Sequence, residues 1–150
     1  GYRDALRAAG VPVRSELITS GDFTEPAGWV GVETLLRRGA RFTAVFAAND
    51  LTAIGVLAAL RARGFSVPKD ISVAGIDDIS LARYTTPALT TVRQPAYDIG
   101  RHATELLLSQ LVGGPEQSRE RIVLTGQIVE RESVDAPQTG RRLRGSQRTT

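Results

Sequence analysis

The stretch from Phe42 to Asp50, FTAVFAAND, constrains this chain more than any other. An apolar run of about six residues that stops at Asn-Asp and opens onto helix formers reads as a buried parallel strand feeding a helix. Asn49 then stands where it can cap the helix, and Asp50 lies in the first turn. The orphan N–H groups and the positive end of the helix dipole favour both. A second run, Ile71 to Ile76, ends the same way in Asp77-Asp78. Open α/β sheets bind ligands at the carboxyl ends of their strands, so these two polar tips above an apolar core form a candidate site.

The rest of the chain follows the same rhythm. Residues 2–9 have helical spacing and stop at Gly10, with Pro12 preventing continuation. Glu16 to Ser20 is a strand candidate broken by Gly21-Asp22. Thr24 caps the next helix, which has Pro26 in its first turn and an apolar stripe of Trp29, Val32, Leu35 and Leu36 up to Gly39. The helix from Asp50 to Arg63 carries Ile54, Leu57, Ala58 and Leu60 and ends at Gly64. Strand starts near 16, 42 and 71 are a βα unit plus crossover apart. The prediction is an α/β fold, a three-layer αβα arrangement with a mostly parallel sheet.

After Asp78 the pattern changes. Ile79 to Pro87 reads as irregular or one-turn, and Leu89 to Arg93 as a short strand. Pro95 opens a helix to Val112 with Ile99, Ala103, Leu106, Leu107 and Leu111 on one face, closed by Gly113-Gly114-Pro115. Arg121 to Thr125 and Gln127 to Glu132 are strand-like. From Val134 onward there is almost nothing to bury, which predicts a disordered tail.

Composition narrows the function. A chain of 150 residues, 41% hydrophobic, suits one domain with a real core. Without cysteine there is no disulfide, thiolate chemistry or cysteine metal site, which fits a reducing compartment and a cytoplasmic location. Nothing reads as a membrane span or a signal peptide. The pI of 9.9 invites a nucleic-acid reading, but all but four of the 19 Lys+Arg and all but one of the 16 Asp+Glu precede residue 134. The body is therefore formally neutral, with no electrostatic footprint for a phosphate backbone. The basic tail reads as solvated.

Asn49 and Asp77 are short polar groups suited to vicinal hydroxyls, a carboxylate accepting two at once. Equally, strands end in Asx because it turns the chain. Phe23 after Gly21-Asp22 is suited to stack on a sugar or base, or to a core or lid contact. His102, mid-helix, reads as an exposed helical histidine. A Ser80/His102/Asp77 triad lacks the Gly-x-Ser-x-Gly elbow, and no phosphate loop or dinucleotide fingerprint is present. Asp50, Asp77 and Asp78 together are a possible Mg²⁺ set, as in a receiver-like fold or a Mg²⁺-dependent enzyme.

The ordered set GDFTEPAGW, FTAVFAANDLTAIGVLAALRARGFSVPKDISVAGIDD, TTPALTTVRQPAYDIG and VERES resembles the effector-binding region of LacI/GalR transcriptional regulators, which have the type I periplasmic-binding-protein fold. The match runs from Gly1 to about Ser133. LTTVRQP plus VERES in this order is its most specific part and favours a regulator over the sugar-binding protein of a transporter. The resemblance implies a non-enzymatic sensor of a small sugar or related metabolite, without a cofactor. It implies that Asn49 and Asp77 bind ligand hydroxyls and that Phe23 stacks on the ligand; Asp50 and Asp78, from the same two polar strand ends, are secondary candidates. It also implies a homodimer using the helix that carries Ile54, and lobe motion transmitted to an N-terminal helix-turn-helix.

Relative to that family, the chain lacks the helix-turn-helix, the hinge helix, most of the first lobe and the opening strand of the second. Residues 1–93 with strand 126–133 correspond to the second lobe, 94–125 to a helix and strand that pack in the first, and 134–150 to the tail. Half a pocket alone is expected neither to bind operator DNA nor to hold a sugar tightly. The stripe Ile99, Leu106, Leu107 and Leu111 is expected to pack on the remaining lobe, to pack on another copy, or to stay exposed.

Overall fold

Leu-Arg stretches closing on glycine end the first three helices of the computed structural model, which describes residues 1–113 and 120–136. These helices are α1 (Tyr2–Ala8), α2 (Glu25–Arg37) and α3 (Asp50–Ala62). Gly10, Gly39 and Gly64 take φ of 67°, 66° and 78°. Each lets the next residue return its N–H to a carbonyl one turn back: Val11 to Leu6 at 2.9 Å, Ala40 to Leu35 at 3.1 Å and Phe65 to Leu60 at 3.0 Å. A residue without Cβ makes that left-handed turn without steric penalty. At the other ends, Thr24 Oγ1 accepts the Ala27 N–H at 3.4 Å and Asn49 Oδ1 accepts the Thr52 N–H at 2.9 Å, so both predicted caps form.

Strands β1 (Ala44–Phe46), β2 (Ser72–Asp77), β3 (Thr90–Arg93) and β4 (Gln127–Val129) lie in that order across one sheet. The first two pairings are parallel and the last antiparallel, so the predicted mostly parallel α/β fold is the one found. A one-turn 3-10 segment, Ser80–Arg83, follows β2, and α4 spans Ala96–Gly113. The core is built from Val32, Val56 and Leu60 of the helices against Ile71, Val73 and Leu89.

Helices α2 and α3 meet backbone to backbone. A Cβ on Gly28 would lie 2.0 Å from the Thr52 carbonyl oxygen, and one on Gly55 would lie 1.9 Å from that of Glu25. Glycine at both crossing points is what allows Val32 and Val56 to be buried together. The buried side of α2 is accordingly Gly28, Gly31, Val32 and Leu35, while Trp29, expected on the apolar stripe, is largely exposed.

Other expectations are corrected. Glu16 to Ser20 is not a strand: Ser15–Leu17 forms one 3-10 turn and Ile18 is extended without a ladder partner. Its carbonyl and that of Glu16 are held instead by Arg38 Nη1, at 3.1 and 3.3 Å. Strand β1 is not buried along its length, since Ala44 and Phe46 are exposed. It is an edge strand, and the sheet face away from α3 leaves Phe46 and Ile128 uncovered. Residues 121–125 form no strand, because nothing pairs with them. On α4, Ile99, Leu107 and Leu111 are exposed and Leu106 is half-buried, so most of the stripe does not pack on the remaining lobe. Val134 to Ala136 are ordered against β2 through the Asp135 N–H on Ser72 Oγ at 3.1 Å. The rest of the expected tail, 137–150, and the Gly114-Pro115 stop lie outside the described residues.

Candidate functional site

Strand register brings the polar tips together. Phe46 pairs with Ala74, so three residues further along each chain Asn49 and Asp77 arrive at the same carboxyl edge; Asp77 itself pairs with Arg93, which puts Gln94 beside it. Asn49 is tied on both sides of its amide: Oδ1 caps α3, and Nδ2 donates to the Phe23 carbonyl at 2.8 Å. That bond pins the loop carrying Phe23 beside Asn49, and Phe23 itself is 61% exposed. Asp77 Oδ1 accepts from Gln94 Nε2 at 2.6 Å. The remaining lone pairs of Asp77 and the second N–H of Asn49 are available to a hydroxylated guest.

Among the described residues, the non-glycine positions with positive φ are Phe23 (67°), Asp77 (122°) and Asp78 (56°), all at this rim. L-residues avoid this region, and such departures cluster at binding and switch sites. Two hollows flank the rim. One of about 170 Å³ lies behind Phe23, between Thr19–Gly21, α2 and β1; the other, about 570 Å³, is an open trough on the uncovered sheet face beside Val92, Ile128 and Arg131. Neither of these two is lined by Asn49 or Asp77, so the polar rim stands apart from both.

The carboxylates of the two secondary candidates are engaged inside the fold and not at the lip. Asp50 is fully buried, accepting the Thr91 hydroxyl at 2.5 Å and the Ile79 N–H at 3.0 Å, so it joins the start of α3 to β3 and to the loop after β2. The Asp78 carboxylate, 3% exposed, is clamped by Arg93 Nε at 2.7 Å and by Arg131 Nη2. With two of the three carboxylates engaged internally, Asp50, Asp77 and Asp78 do not converge as a Mg²⁺ set, and the described residues contain no group of three metal-ligating side chains. His102 is half-buried, its ring nitrogens facing Glu105 and Arg101 of its own helix, which rules out the relay to Ser80 and Asp77. Ile54 sits half-buried near the start of α3. Gln94 was not singled out from the sequence; its signal is its place directly after the β3 partner of Asp77.

Burial pushes the Asp50 carboxyl above its ordinary value of 3.8; the hydrogen bonds from Thr91 and Ile79 oppose this and the charge of Asp77 adds to it. A raised folded pKa means that the folded chain holds the proton more tightly, so Asp50 contributes most to stability below pH 3.8 and less as the pH rises through its folded value. Asp78 is the reverse. Burial opposes its ionisation, but Arg131 and Arg93 outweigh it and hold the carboxyl below 3.8, so its contribution is present above 3.8 and lost as the pH falls through the lower folded value. Urea denaturation across the acid range should therefore show wild type losing ground to Asp50→Asn with rising pH, and gaining on Asp78→Asn. Slopes of the same sign would contradict these environments.

The model of the periplasmic-binding-protein-like domain family matches residues 1–134. Relatives and solved structures agree. The HTH-type transcriptional regulator AscG of Escherichia coli K12 is 41% identical over 137 residues, 91% of this chain and 40% of the relative. The chain belongs to the LacI family. The ribose operon repressor of Haemophilus influenzae is 37% identical over 134 residues, covering 89% of this chain and 40% of that one. A sugar-binding LacI-family regulator from Escherichia coli, solved with phosphate, superposes with a TM-score of 0.79 at 40% identity over 91% of this chain and 48% of its own. This LacI-type domain thus spans about 40% of the length of the curated relatives it matches, and those relatives are transcriptional regulators. No helix among the described residues is long and apolar enough to cross a membrane.

Proposed function

We propose that the chain is the second-lobe half of the effector-binding domain of a LacI/GalR-type transcriptional regulator. In this reading it senses a small sugar or related polar metabolite in the cytoplasm and catalyses nothing. The observation that carries it is the shared rim: Asn49, Asp77 and Gln94 delivered by three neighbouring chain segments, with the backbone of an exposed aromatic residue, Phe23, tied beside them by the Asn49 amide. Paired carboxylate and amide groups select vicinal hydroxyls, and an aromatic face covers the apolar side of a sugar ring. Support comes from relatives named for ribose and for sugar binding.

The opposite wall of the pocket, the operator-reading domain and the hinge belong, in this reading, to sequence beyond these 150 residues. Dimerisation runs through α3, with Ile54 at the interface. The engagement of Asp50 and Asp78 inside the fold speaks against the Mg²⁺-enzyme reading.

Calorimetric titration with D-ribose and a panel of pentoses and hexoses tests the reading. Asp77→Ala should weaken binding by about 1.5–3 kcal/mol, the worth of hydrogen bonds to a charged group, and Phe23→Ala by about 1 kcal/mol. Saccharide binding unchanged in both variants would remove the effector site from this rim.

A further inference from the structure

VERES, Val129 to Ser133, is the motif that the effector reading leaves without a role. In the structure it returns from β4 alongside β2 and β3 and is fastened by the fully buried Ser133. The Ser133 hydroxyl accepts the Thr90 N–H at 2.8 Å and donates to the Val73 carbonyl at 2.6 Å. This fixes Arg131, two residues earlier, from several sides. Its N–H donates to Thr90 Oγ1 at 2.9 Å, its Nη1 to the Leu89 carbonyl at 2.7 Å, and its Nη2 to Asp78 Oδ1. Its side chain is 13% exposed, far less than that of Arg93, the other cation on Asp78.

Asp77 and Asp78 both hold positive φ, and the 122° of Asp77 lies outside even the small left-handed well open to L-residues. Such a backbone persists only where its surroundings over-determine it. Of the two cations on Asp78, the anchored and nearly buried one is Arg131.

We infer that Arg131 is the positioning residue of the rim: by holding the Asp78 carboxylate it keeps the Asp77–Asp78 turn in the conformation that presents the Asp77 carboxylate to Gln94 and to a guest. Its consequence for affinity rests on the effector reading above; its geometry does not.

Nuclear magnetic resonance on the 150-residue chain separates the two. The Gln94 side-chain amide, donating to Asp77 at 2.6 Å, reports the position of Asp77. The Thr52 backbone amide, held by Asn49, reports that the fold survives. In Arg131→Ala the Gln94 amide pair should move to solvent-like shifts and fast exchange with Thr52 unchanged. If the competent turn falls to about a tenth of the molecules, any sugar bound through Asp77 weakens about tenfold. Arg131→Lys keeps the charge but not the two-pronged reach to Leu89 and Asp78, and should fall between. A merely structural loss would lower the melting temperature without selecting Gln94. Gln94 signals unmoved in a folded Arg131→Ala overturn the proposal. Where that variant does not fold, Arg131→Lys decides: a partial Gln94 shift supports the proposal and none overturns it. If Asp77→Ala leaves sugar binding intact while Gln94 still responds to Arg131→Ala, the effector reading fails and the positioning role stands.

Discussion

Gly55→Ala should destabilise the chain by about 3 kcal/mol, although alanine is intrinsically the better helix former by roughly 1 kcal/mol. The added Cβ would lie 1.9 Å from the Glu25 carbonyl oxygen and 2.8 Å from its carbon, and backbone atoms in the first turn of α2 cannot rotate away. The helices must therefore separate, which loosens the contact that buries Val32 and Val56. Gly28 makes the reciprocal contact with Thr52 and Val56, so relief at one point strains the other. The control is Gly100→Ala on α4, where a Cβ meets nothing within 4 Å. There the same substitution should stabilise by up to about 1 kcal/mol. Urea denaturation of the two variants beside wild type measures both signs. A Gly55→Ala variant as stable as wild type would mean that α2 and α3 do not touch in this way.

Asp50→Ala should cost about 3 kcal/mol, because it strips the Thr91 hydroxyl and the Ile79 N–H of a charged acceptor and leaves both in the interior. It also removes an acidic group from the first turn of α3, a smaller loss of about 0.5 kcal/mol. The substitution separates two roles that the sequence leaves open for this residue. Asp50 as a buried tie predicts lost stability, with sugar affinity in the folded fraction close to wild type. Asp50 as a ligand predicts the opposite, stability kept and affinity gone. The environment favours the tie: a Cβ on Gly75 would lie 2.3 Å from Asp50 Oδ1, so β2 itself is glycine where the carboxylate passes beneath it.

Much of the fold was legible because its signals are local. Each of Gly10, Gly39 and Gly64 stops a helix within a few residues of the basic turn that announces it, and Thr24 and Asn49 start helices by bonding an N–H three residues on. The location of Asn49 and Asp77 at one edge was legible too, since neighbouring parallel strands run the same way and deliver their carboxyl ends to the same side. Segments 16–20 and 121–125 were misread because a strand is a pairing and not a propensity: extended apolar sequence without a neighbour has nowhere to place its backbone hydrogen bonds.

The sequence by itself determined where α2 and α3 begin and end, that the runs near 42 and 71 become parallel strands, and that an amide and a carboxylate arrive at one edge. Tertiary structure decided which acidic side chain is left at the lip. Asp50 is claimed by Thr91, 41 residues away, and Asp78 by Arg93 and Arg131, 15 and 53 residues away, leaving Asp77 at the lip with Gln94. Three neighbouring aspartates look alike in a sequence because ionisation and burial depend on partners that only folding brings within a few ångströms, and at that range a single cation or hydroxyl sets the role of a carboxylate.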